Sequence, residues 1–398
     1  MTELLAPAGD MDCLQTALRF GADAVYLAGR HFGMRGGAKN FASDELPKAV
    51  QLAHAAGKQV YVACNIIPHP DDMATLPAWL KQIAQAKADA VIVSDLGVMK
   101  LVQKYAPGVA IHISTQAGVT NAETACALHE LGASRVVLAR ELTLEEITQI
   151  RANIPRELEL ECFVHGAMCV SYSGRCLLSN YLTGRDANGG ACTQPCRWGY
   201  ALVEETRPGI YLPIEEDVRG THIMHAQDLC LIEHIPALLG AGITSLKIEG
   251  RAKAAYYVAV VVNAYRAALD VALQGQPVPA WALREPYLVS HREYCTGFAF
   301  AKPGEAAHIS EISGYIRASE PIGIVQRCEN GRCYAVQRGR AFAGDALQAV
   351  APGQPPVDLQ LNDLQDEAGQ PLEATRHAEM LFSFSCDLNL PFGTILRK

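Results

Sequence analysis

Residues 111–140 read IHISTQAGVTNAETACALHELGASRVVLAR, and this stretch contains the unit that recurs along the first 270 residues. It starts with an apolar run, continues with an amphipathic segment that Asn121 can cap, and ends with a second apolar run. Repeated units of strand followed by helix predict a parallel sheet, because parallel strands need a crossover connection.

Apolar runs of this kind recur up to residue 250. They are LLAPAG (4–9), AVYLAG (24–29), VYVACN (60–65), AVIVSD (90–95), IHISTQ (111–116), RVVLAR (135–140), LECFVH (160–165) and SLKIEG (245–250). Ser43, Asn121 and Thr143 are the predicted helix N-caps between them. Eight strands are what a (β/α)8 TIM-like barrel of the α/β class requires, so we predict this fold. A doubly wound sheet is the alternative, but it needs fewer strands and a switch point.

The regular alternation breaks between the seventh and eighth runs. A cysteine-rich segment (163–200) opens an insertion there. Residues 202–220 predict an antiparallel excursion or a flexible loop, and residues 228–242 predict a helix. From about residue 305 the chain turns to short β-like runs, and Asn330-Gly331 between two of them is typical of a hairpin turn. We therefore predict three segments: a barrel over 1–282, a linker over 283–304, and a small all-β barrel domain over 305–398.

Composition and charge exclude several classes of protein. Hydrophobic residues make up 49% and charged residues 19% of the 398 residues, which excludes disorder, collagen and coiled coil. Neither an apolar run of about 18 residues nor a basic, apolar leader is present, so we expect no membrane span and a cytoplasmic location. The net charge of -8 argues against a broadly basic nucleic-acid surface but leaves room for a local basic patch.

Near the ends of several predicted strands, residues of one parity are polar and residues of the other parity are apolar. The polar set comprises Asn65, His112, Gln116, Arg140, Glu161, His165, Lys247 and Glu249. If the apolar parity packs under the helices, the polar set lines the lumen and converges at the C-terminal face, where sites of this fold lie. We predict a site there. Solvation at a frayed strand end is the alternative for Glu161.

Thirteen cysteines are unusual for a cytoplasmic chain, where disulfides are rare. Four of them share one loop rich in Gly, Ser and Asn: Cys169, Cys176, Cys192 and Cys196. All-cysteine ligation fits zinc or an iron–sulfur cluster, and only the last pair has the tight spacing that zinc prefers, which favours a cluster. A protease dyad of His165 and Cys169 would leave the other three thiols unexplained.

Positive charge concentrates around the same loop. Residues 163–200 carry three arginines against one aspartate, a net +2, and residues 247–253 also carry a net +2. Tyr172, Tyr181 and Trp198 are interleaved with the arginines. This composition suits RNA phosphate contacts and base stacking, and it suits a small anionic metabolite equally well.

The block FVHGAMCVSYSGRCLLSNYLTGRDANGGACTQPCRW (163–198) resembles the signature of the collagenase-like peptidase family. LLAPAG, GADAVYLAG, RVVLARELTLEEI and SLKIEGRAK fit the same family, and the resemblance covers residues 3–270 strongly. The cysteine block, THIMHAQDL (221–229) and SLKIEGRAK are most similar to the branch that hydroxylates the wobble uridine of tRNA.

The resemblance implies an oxygen-sensitive [4Fe-4S] cluster on the four loop cysteines, with Cys230 as an outside candidate for one ligand. It also implies prephenate-dependent formation of 5-hydroxyuridine in tRNA. Sister branches imply two alternatives, 5-hydroxycytidine in ribosomal RNA and oxygen-independent ubiquinone hydroxylation. The family name implies proteolysis, but the sequence contains neither an HExxH nor a GxSxG motif. A third class of function is a non-catalytic scaffold protein, in which a metal only holds the loop closed.

On this reading we assign roles to the polar residues. His165, Lys247, Glu249 and Arg251 are predicted to position the substrate and shuttle protons. The residues predicted to contact substrate are Asn65, His112, Gln116, Arg140, Glu161, Tyr172, Arg175 and Arg197. The arginines among them suit the carboxylates of prephenate or the RNA backbone, because guanidinium groups bind both in a bidentate manner.

Overall fold

The computed structural model describes residues 2–34, 39–168, 176, 178–195, 202–203, 211–212, 215–217, 220–222, 227–301 and 315–398. The chain divides into two compact units. The first comprises Met1–Leu18, Ala22–Lys253 and Arg292–Tyr315, and the second comprises Arg19–Gly21, Ala254–His291 and Ile316–Lys398.

The first unit is built around a closed parallel barrel. Its strands are β1 (Glu3–Pro7), β2 (Ala24–Leu27), β3 (Gln59–Cys64), β4 (Ala90–Val93), β5 (Ala110–Ile113), β6 (Arg135–Val137), β7 (Glu159–Ala167), β8 (Leu202–Val203), β9 (Tyr211–Leu212), β10 (Glu215–Asp217), β11 (Gly220–His222), β12 (Asp228–Cys230), β13 (Ser245–Ile248) and β14 (Tyr294–Cys295). Strands β1 to β7 pair in sequence, and β13 pairs in parallel with both β1 and β7. These eight strands confirm the predicted TIM-like barrel.

The helices follow the strands in the order that the alternation predicts. They are α1 (Met11–Arg19), α2 (Glu45–Ala55), α3 (Pro70–Gln85), α4 (Leu96–Tyr105), α5 (Ala122–Glu130), α6 (Leu144–Ala152), α7 (Leu178–Thr183), α8 (Ile235–Gly240), α9 (Ala255–Ala272) and α10 (Ala280–Arg284). Asn121 caps α5 by accepting from the Thr124 amide at 2.8 Å, and Thr143 forms a capping box with Glu146, as predicted. The prediction for Ser43 is wrong, because α2 starts one residue later and Asp44 occupies its N-cap position.

Two sets of apolar side chains fill the first unit. Leu5, Tyr26, Tyr61 and Ile92 share one parity of their strands and form a small cluster inside the barrel. Residues of the opposite parity, such as Val25, are also fully buried, since helices cover the outer face of the sheet. Burying each large aliphatic side chain stabilises the fold by about 1.5–3 kcal/mol.

The insertion before β13 differs in part from its prediction. The antiparallel excursion is confirmed, because β8 pairs with β9 and β10 pairs with β11, both antiparallel. The helix predicted over residues 228–242 is shorter than expected. Residues 228–230 form β12 instead, which pairs antiparallel with the end of β7, and α8 begins only at Ile235. Strand β14 then pairs in parallel with β12 and extends the sheet.

The second unit carries an antiparallel half-barrel beside α9 and α10 of the same unit. Its strands are β15 (Pro321–Glu329), β16 (Arg332–Gln337), β17 (Ala346–Val350), β18 (Val357–Gln360), β19 (Asn362–Asp366), β20 (Leu381–Ser385) and β21 (Ile395–Arg397), in the spatial order β18-β17-β21-β15-β16-β20-β19. Phe382 and Phe384 lie in its apolar core. Buried Arg397 donates two 2.7 Å hydrogen bonds to the carboxylate of Glu285.

The hairpin predicted at Asn330-Gly331 joins β15 to β16. Both turn residues have positive φ, 52° and 75°, which is the conformation that an Asn-Gly type I′ turn requires. Cys328 lies directly opposite Cys333, and the two form a disulfide that the sequence did not lead us to expect. Among the helices of the described residues, none combines the length and apolarity needed to cross a membrane.

Candidate functional site

The candidate site is centred on Glu161 of β7, whose side chain is fully buried in the barrel. Its Oε1 accepts a hydrogen bond from Nζ of Lys247 at 2.7 Å. Its Oε2 accepts from Nη1 of Arg135 at 3.1 Å and from Oγ of Ser245 at 3.2 Å. The strand register brings these groups together, since Glu161 lies opposite Ser245 on β13. The structure therefore contradicts the alternative that Glu161 is solvated at a frayed strand end. It also contradicts the prediction that Glu161 lies at the C-terminal face, because its partners Arg135 and Ser245 are the first residues of their strands.

Arg135, the first residue of β6, extends this network. It donates to Oε1 of Glu3 at 2.7 Å and to Oε2 of Glu159 at 2.7 Å. The ring of Tyr61 lies 5.2 Å from its guanidinium carbon, and the Tyr61 hydroxyl donates to Glu3. We call this set the lumen ion cluster; it comprises Glu3, Arg135, Glu161, Ser245 and Lys247, and all of them except Glu3 are buried. Ion pairs and hydrogen bonds of this kind offset the free-energy cost of burying charged side chains.

Electrostatics keep the cluster ionised. Burial by itself would raise the pKa of Glu161, but the charges of Lys247 and Arg135 outweigh burial and hold that pKa at about 2. Burial would likewise lower the pKa of Arg135, but Glu161 and Glu3 raise it above its usual value. Glu161 is therefore a carboxylate at neutral pH, and it fixes the ammonium group of Lys247 in place.

Lys247 is also held between two aromatic rings. Its Nζ lies 4.5 Å from the ring centre of Tyr26 and 5.4 Å from that of Phe163, both within cation–π range. The Tyr26 hydroxyl lies 3.0 Å from Oε2 of Glu249. Two residues with predicted catalytic roles thus contact one tyrosine side chain, Lys247 at the face of the ring and Glu249 at the hydroxyl group.

His112 of β5 is buried against the same network. Its ring packs edge-on against Tyr61 with centroids 4.7 Å apart. Burial, together with the neighbouring charge of Arg135, lowers the pKa of His112 to about 3. Among the described residues its Nδ1 has no hydrogen-bond partner. His112 therefore presents a neutral imidazole at neutral pH and cannot supply a positive charge to a substrate.

The buried imidazole leads to a prediction about acid stability. Between pH 6.5 and about 3 the unfolded chain binds a proton at His112 and the folded chain does not. Stability linked to this group is therefore complete above pH 6.5 and is lost as the pH falls. Between pH 6.5 and 4.5, we expect the free energy of unfolding to fall by about 1.4 kcal/mol per pH unit more for the native protein than for His112→Asn. Urea unfolding at several pH values measures both slopes, and equal slopes would contradict the prediction.

His165, at the C-terminal end of β7, has a partner that sequence reasoning missed. The hydroxyl of Tyr294 lies 3.2 Å from its Nε2, and the two rings are 5.2 Å apart. Tyr294 reaches this position because β14 pairs with β12, which in turn pairs with β7. Asp228 of β12 is fixed beside it by Arg292, at 2.7 Å between Oδ1 and Nη2.

Other predicted residues make structural contacts at the barrel mouth. Asn65 donates to Oγ of Ser114 at 3.2 Å and accepts from the amide of Met34 at 3.2 Å. Arg251 is buried and donates to Oδ1 of Asn40 at 3.1 Å. These contacts hold the segments that follow β2, β3, β5 and β13 against one another.

Two further predicted residues lie outside the strands that the sequence suggested. Strand β6 ends at Val137, so Arg140 lies beyond it and donates to the carbonyl of Ala167 at 2.8 Å. Its guanidinium carbon also lies 5.1 Å from the ring centre of Phe163. Gln116 is half-buried in a single 3-10 turn, Thr115–Ala117, that follows β5.

The described part of the cysteine loop is anchored beside the C-terminal end of β3. The amide of Ile67 donates to the carbonyl of Asn188 at 2.8 Å, and the side chain of Asn188 donates to the carbonyl of Cys176 at 3.0 Å. Cys176 and Cys192 are half-buried and free of disulfides. The other predicted ligands, Cys169 and Cys196, lie outside the described residues, as do Tyr172, Arg175 and Arg197.

The donor chemistry of the described thiols fits an iron–sulfur cluster. The backbone N–H of Gln194 donates to Sγ of Cys192 at 3.4 Å. Hydrogen bonds from N–H groups to ligand sulfur are one of the means by which proteins tune such clusters. Within the part of the chain that the structure describes, no three His, Cys, Asp or Glu side chains gather in a group that could hold a metal.

Six members of the network escaped the sequence analysis, and five of them had a signal. The five share the lumen-facing parity of their strands, so extending the parity rule along each strand would have found them: Glu3, Tyr26, Tyr61, Arg135 and Ser245. Tyr294 had no such signal, because it lies 129 residues from His165.

Fold and site together define a TIM-barrel protein with a charged lumen and a cysteine-rich loop at its mouth. The chain belongs to peptidase family U32: the family model matches residues 9–309, and the model of the U32 C-terminal domain matches residues 317–397. This confirms the family resemblance seen in the cysteine block.

Three relatives illustrate the breadth of the family. The chain is 35% identical to tRNA hydroxylation protein P1 of Bacillus subtilis strain 168, over 100% of this chain and 94% of the relative. It is 38% identical to tRNA hydroxylation protein P of Escherichia coli K12, over 100% and 96%. It is 45% identical to an uncharacterized protease of Methanocaldococcus jannaschii, over 75% and 73%.

Proposed function

We propose that this chain is an RNA-modifying hydroxylase, and specifically that it converts the wobble uridine of tRNA to 5-hydroxyuridine with prephenate as co-substrate and a [4Fe-4S] cluster. The observation that carries the proposal is the full-length similarity to two relatives named as tRNA hydroxylation proteins. The lumen supports it too, because a fixed ammonium group between aromatic rings suits an anionic or π-rich substrate.

The cluster would be held by Cys169, Cys176, Cys192 and Cys196. When bound, it would supply electron-transfer chemistry, since four cysteine ligands leave no iron with an open position. The Gln194 amide that donates to Cys192 supports this assignment.

The remaining chemistry belongs to side chains of the lumen. Replacing the C5 hydrogen of uracil by hydroxyl requires that the C5 proton leave and that a co-reactant supply the oxygen atom and accept two electrons. Glu249, hydrogen-bonded to Tyr26, is placed to accept that proton, and His165 with Tyr294 offers a second proton carrier. Lys247, whose ammonium group is fixed by Glu161, orients the anionic co-substrate. Arg140 and Arg251 would contribute guanidinium groups for the carboxylates of prephenate or for phosphate.

Nucleoside mass spectrometry of a deletion strain tests the proposal. We expect 5-hydroxyuridine in total tRNA to fall to background once any oxygen-dependent enzyme that makes the same nucleoside is deleted as well. Complementation with the native chain restores it, and complementation with Lys247→Met does not. Normal 5-hydroxyuridine in the double deletion would contradict the proposal.

A peptidase is the competing class, since the family is named for it. It predicts cleavage of denatured collagen by the purified protein and loss of that cleavage in His165→Ala or with a chelator. Cleavage of this kind, together with unchanged 5-hydroxyuridine in the deletion strain, would replace the hydroxylase proposal.

A further inference from the structure

A second cavity lies outside the barrel lumen, between the connection from β2 to α2 and the side of α3. Its volume is about 510 Å³, which is in the range of small-ligand sites. Residues with three kinds of chemistry line it: the aromatic rings of Phe32, Phe41 and Trp79, the cationic or polar rim of Arg30 and His31, and the carboxylate of Asp72. We call it the aromatic pocket.

Local structure builds one wall of this pocket. A Cβ atom at Gly29 would lie 2.5 Å from Cζ2 of Trp79, so only glycine lets the indole pack against the end of β2. Trp79 and Phe41 are buried, and Phe32 is half-buried. Phe32 has φ 67°, a left-handed conformation that is unfavourable for an aromatic residue. Strain of this kind clusters at binding sites.

The rim and the inner wall point to a planar, nitrogen-containing ligand. Arg30 and His31 are exposed, and the ring of His31 packs edge-on against Phe32 at 6.1 Å. Aromatic and guanidinium planes are the surfaces on which unpaired bases stack. Asp72 is an acceptor for the amino group of a base, and with Asp72 in the lining a purely anionic metabolite is disfavoured.

One short segment, residues 32–34, connects the wall of the pocket to the mouth of the barrel. The carbonyl of Phe32 accepts from the amide of Ile66 at 3.3 Å, and the amide of Met34 donates to Asn65 at 3.2 Å. A Cβ atom at Gly33 would lie 3.3 Å from Nη1 of Arg251, so this segment touches a predicted catalytic residue. Residues 33–34 thus lie toward the mouth of the barrel, and residues 30–32 line the pocket.

We propose that the aromatic pocket binds an unpaired base of the RNA, a neighbour of the base that enters the barrel. This inference rests on the proposed function, since it needs a single-stranded RNA at the mouth. The pocket stacks the neighbouring base on Phe32 and Trp79, Arg30 lies by its phosphate, and Asp72 favours a base with an amino group.

Binding measurements without turnover test the pocket. The probe is an RNA heptamer with the sequence of an anticodon loop, titrated into protein carrying Trp198→Phe and Trp281→Phe so that Trp79 is the only tryptophan. We expect the heptamer to quench Trp79 fluorescence. The double variant Arg30→Ala/His31→Ala, at two exposed positions, should weaken binding by about tenfold, the scale of one lost hydrogen bond between charged groups. Lys100→Ala removes one positive charge from an exposed site on α4 and should change binding less than twofold.

The outcomes separate this inference from the proposed function. If the native protein binds the heptamer but Trp79 is not quenched and the double variant binds normally, the pocket is not the base site. If the native protein does not bind the heptamer at all, the proposed function fails with it. Quenching by denatured collagen instead of RNA would assign the pocket to a peptide and overturn the inference.

Discussion

Replacing Glu161 by glutamine is expected to lower the free energy of unfolding by about 3–5 kcal/mol, the largest stability effect that the structure predicts. The substitution preserves shape and removes one negative charge, so Lys247 and Arg135 lose their shared counter-charge and one of the two meets an amide NH2 group in place of an oxygen acceptor. An uncompensated buried charge is what makes the loss large. Urea unfolding at pH 7 measures it.

Two further variants make this test specific to the buried cluster. Glu159 contacts the same arginine, but its side chain is 46% exposed, so Glu159→Gln should cost no more than about 1 kcal/mol. Removing both charges in Glu161→Gln/Lys247→Met should recover about 1–3 kcal/mol of the loss, because the stranded ammonium group is gone. If Glu161→Gln lowers the free energy of unfolding by no more than Glu159→Gln does, the charges of the cluster are not energetically coupled.

Replacing Cys192 by alanine is expected to have the largest effect on activity, a loss of 5-hydroxyuridine formation of at least about 100-fold. Native protein purified without oxygen should be brown and contain about four irons per chain. Cys176→Ala and Cys192→Ala should contain almost no iron, since each removes a proposed ligand. Iron analysis, visible absorption and nucleoside mass spectrometry of complemented cells give three independent measurements.

The matched control is Cys126→Ala on α5, a half-buried thiol outside the cysteine loop. It should keep both the iron and the activity, which separates loss of a ligand from a general effect of losing a cysteine. A colourless protein with one zinc per chain would contradict the cluster. Full activity of an iron-free Cys192→Ala protein would contradict the redox role and leave the metal a structural one.

The order of the barrel elements could be predicted from sequence because each one depends on local patterns. Eight apolar runs separated by amphipathic segments specified the strand number, and Asn121 and Thr143 specified two helix starts through their own side chains. The Asn-Gly turn of the hairpin follows from the tolerance of those two residues for positive φ. These features depend on residues that are close together in the sequence, so they can be predicted from it.

The errors occurred where distant residues compete for the same segment. The sequence of residues 228–230 predicts the start of a helix. In the structure these residues pair with the C-terminal end of β7 and form β12 instead. Arg140 read as the end of a strand, but β6 stops three residues earlier and the side chain turns to the carbonyl of Ala167. Neither outcome follows from the residues themselves.

The sequence by itself determined the class of fold, the family, the lumen parity of Glu161 and Lys247, and the concentration of cysteines in one loop. Only the tertiary structure decided the partners: that Arg135 and Ser245 share the Glu161 carboxylate, that Tyr26 links Lys247 to Glu249, and that Tyr294 meets His165. The physical reason is that parity and propensity act between neighbours in the chain. Hydrogen bonds and ion pairs across a closed barrel depend on strand register, which is set when the barrel closes.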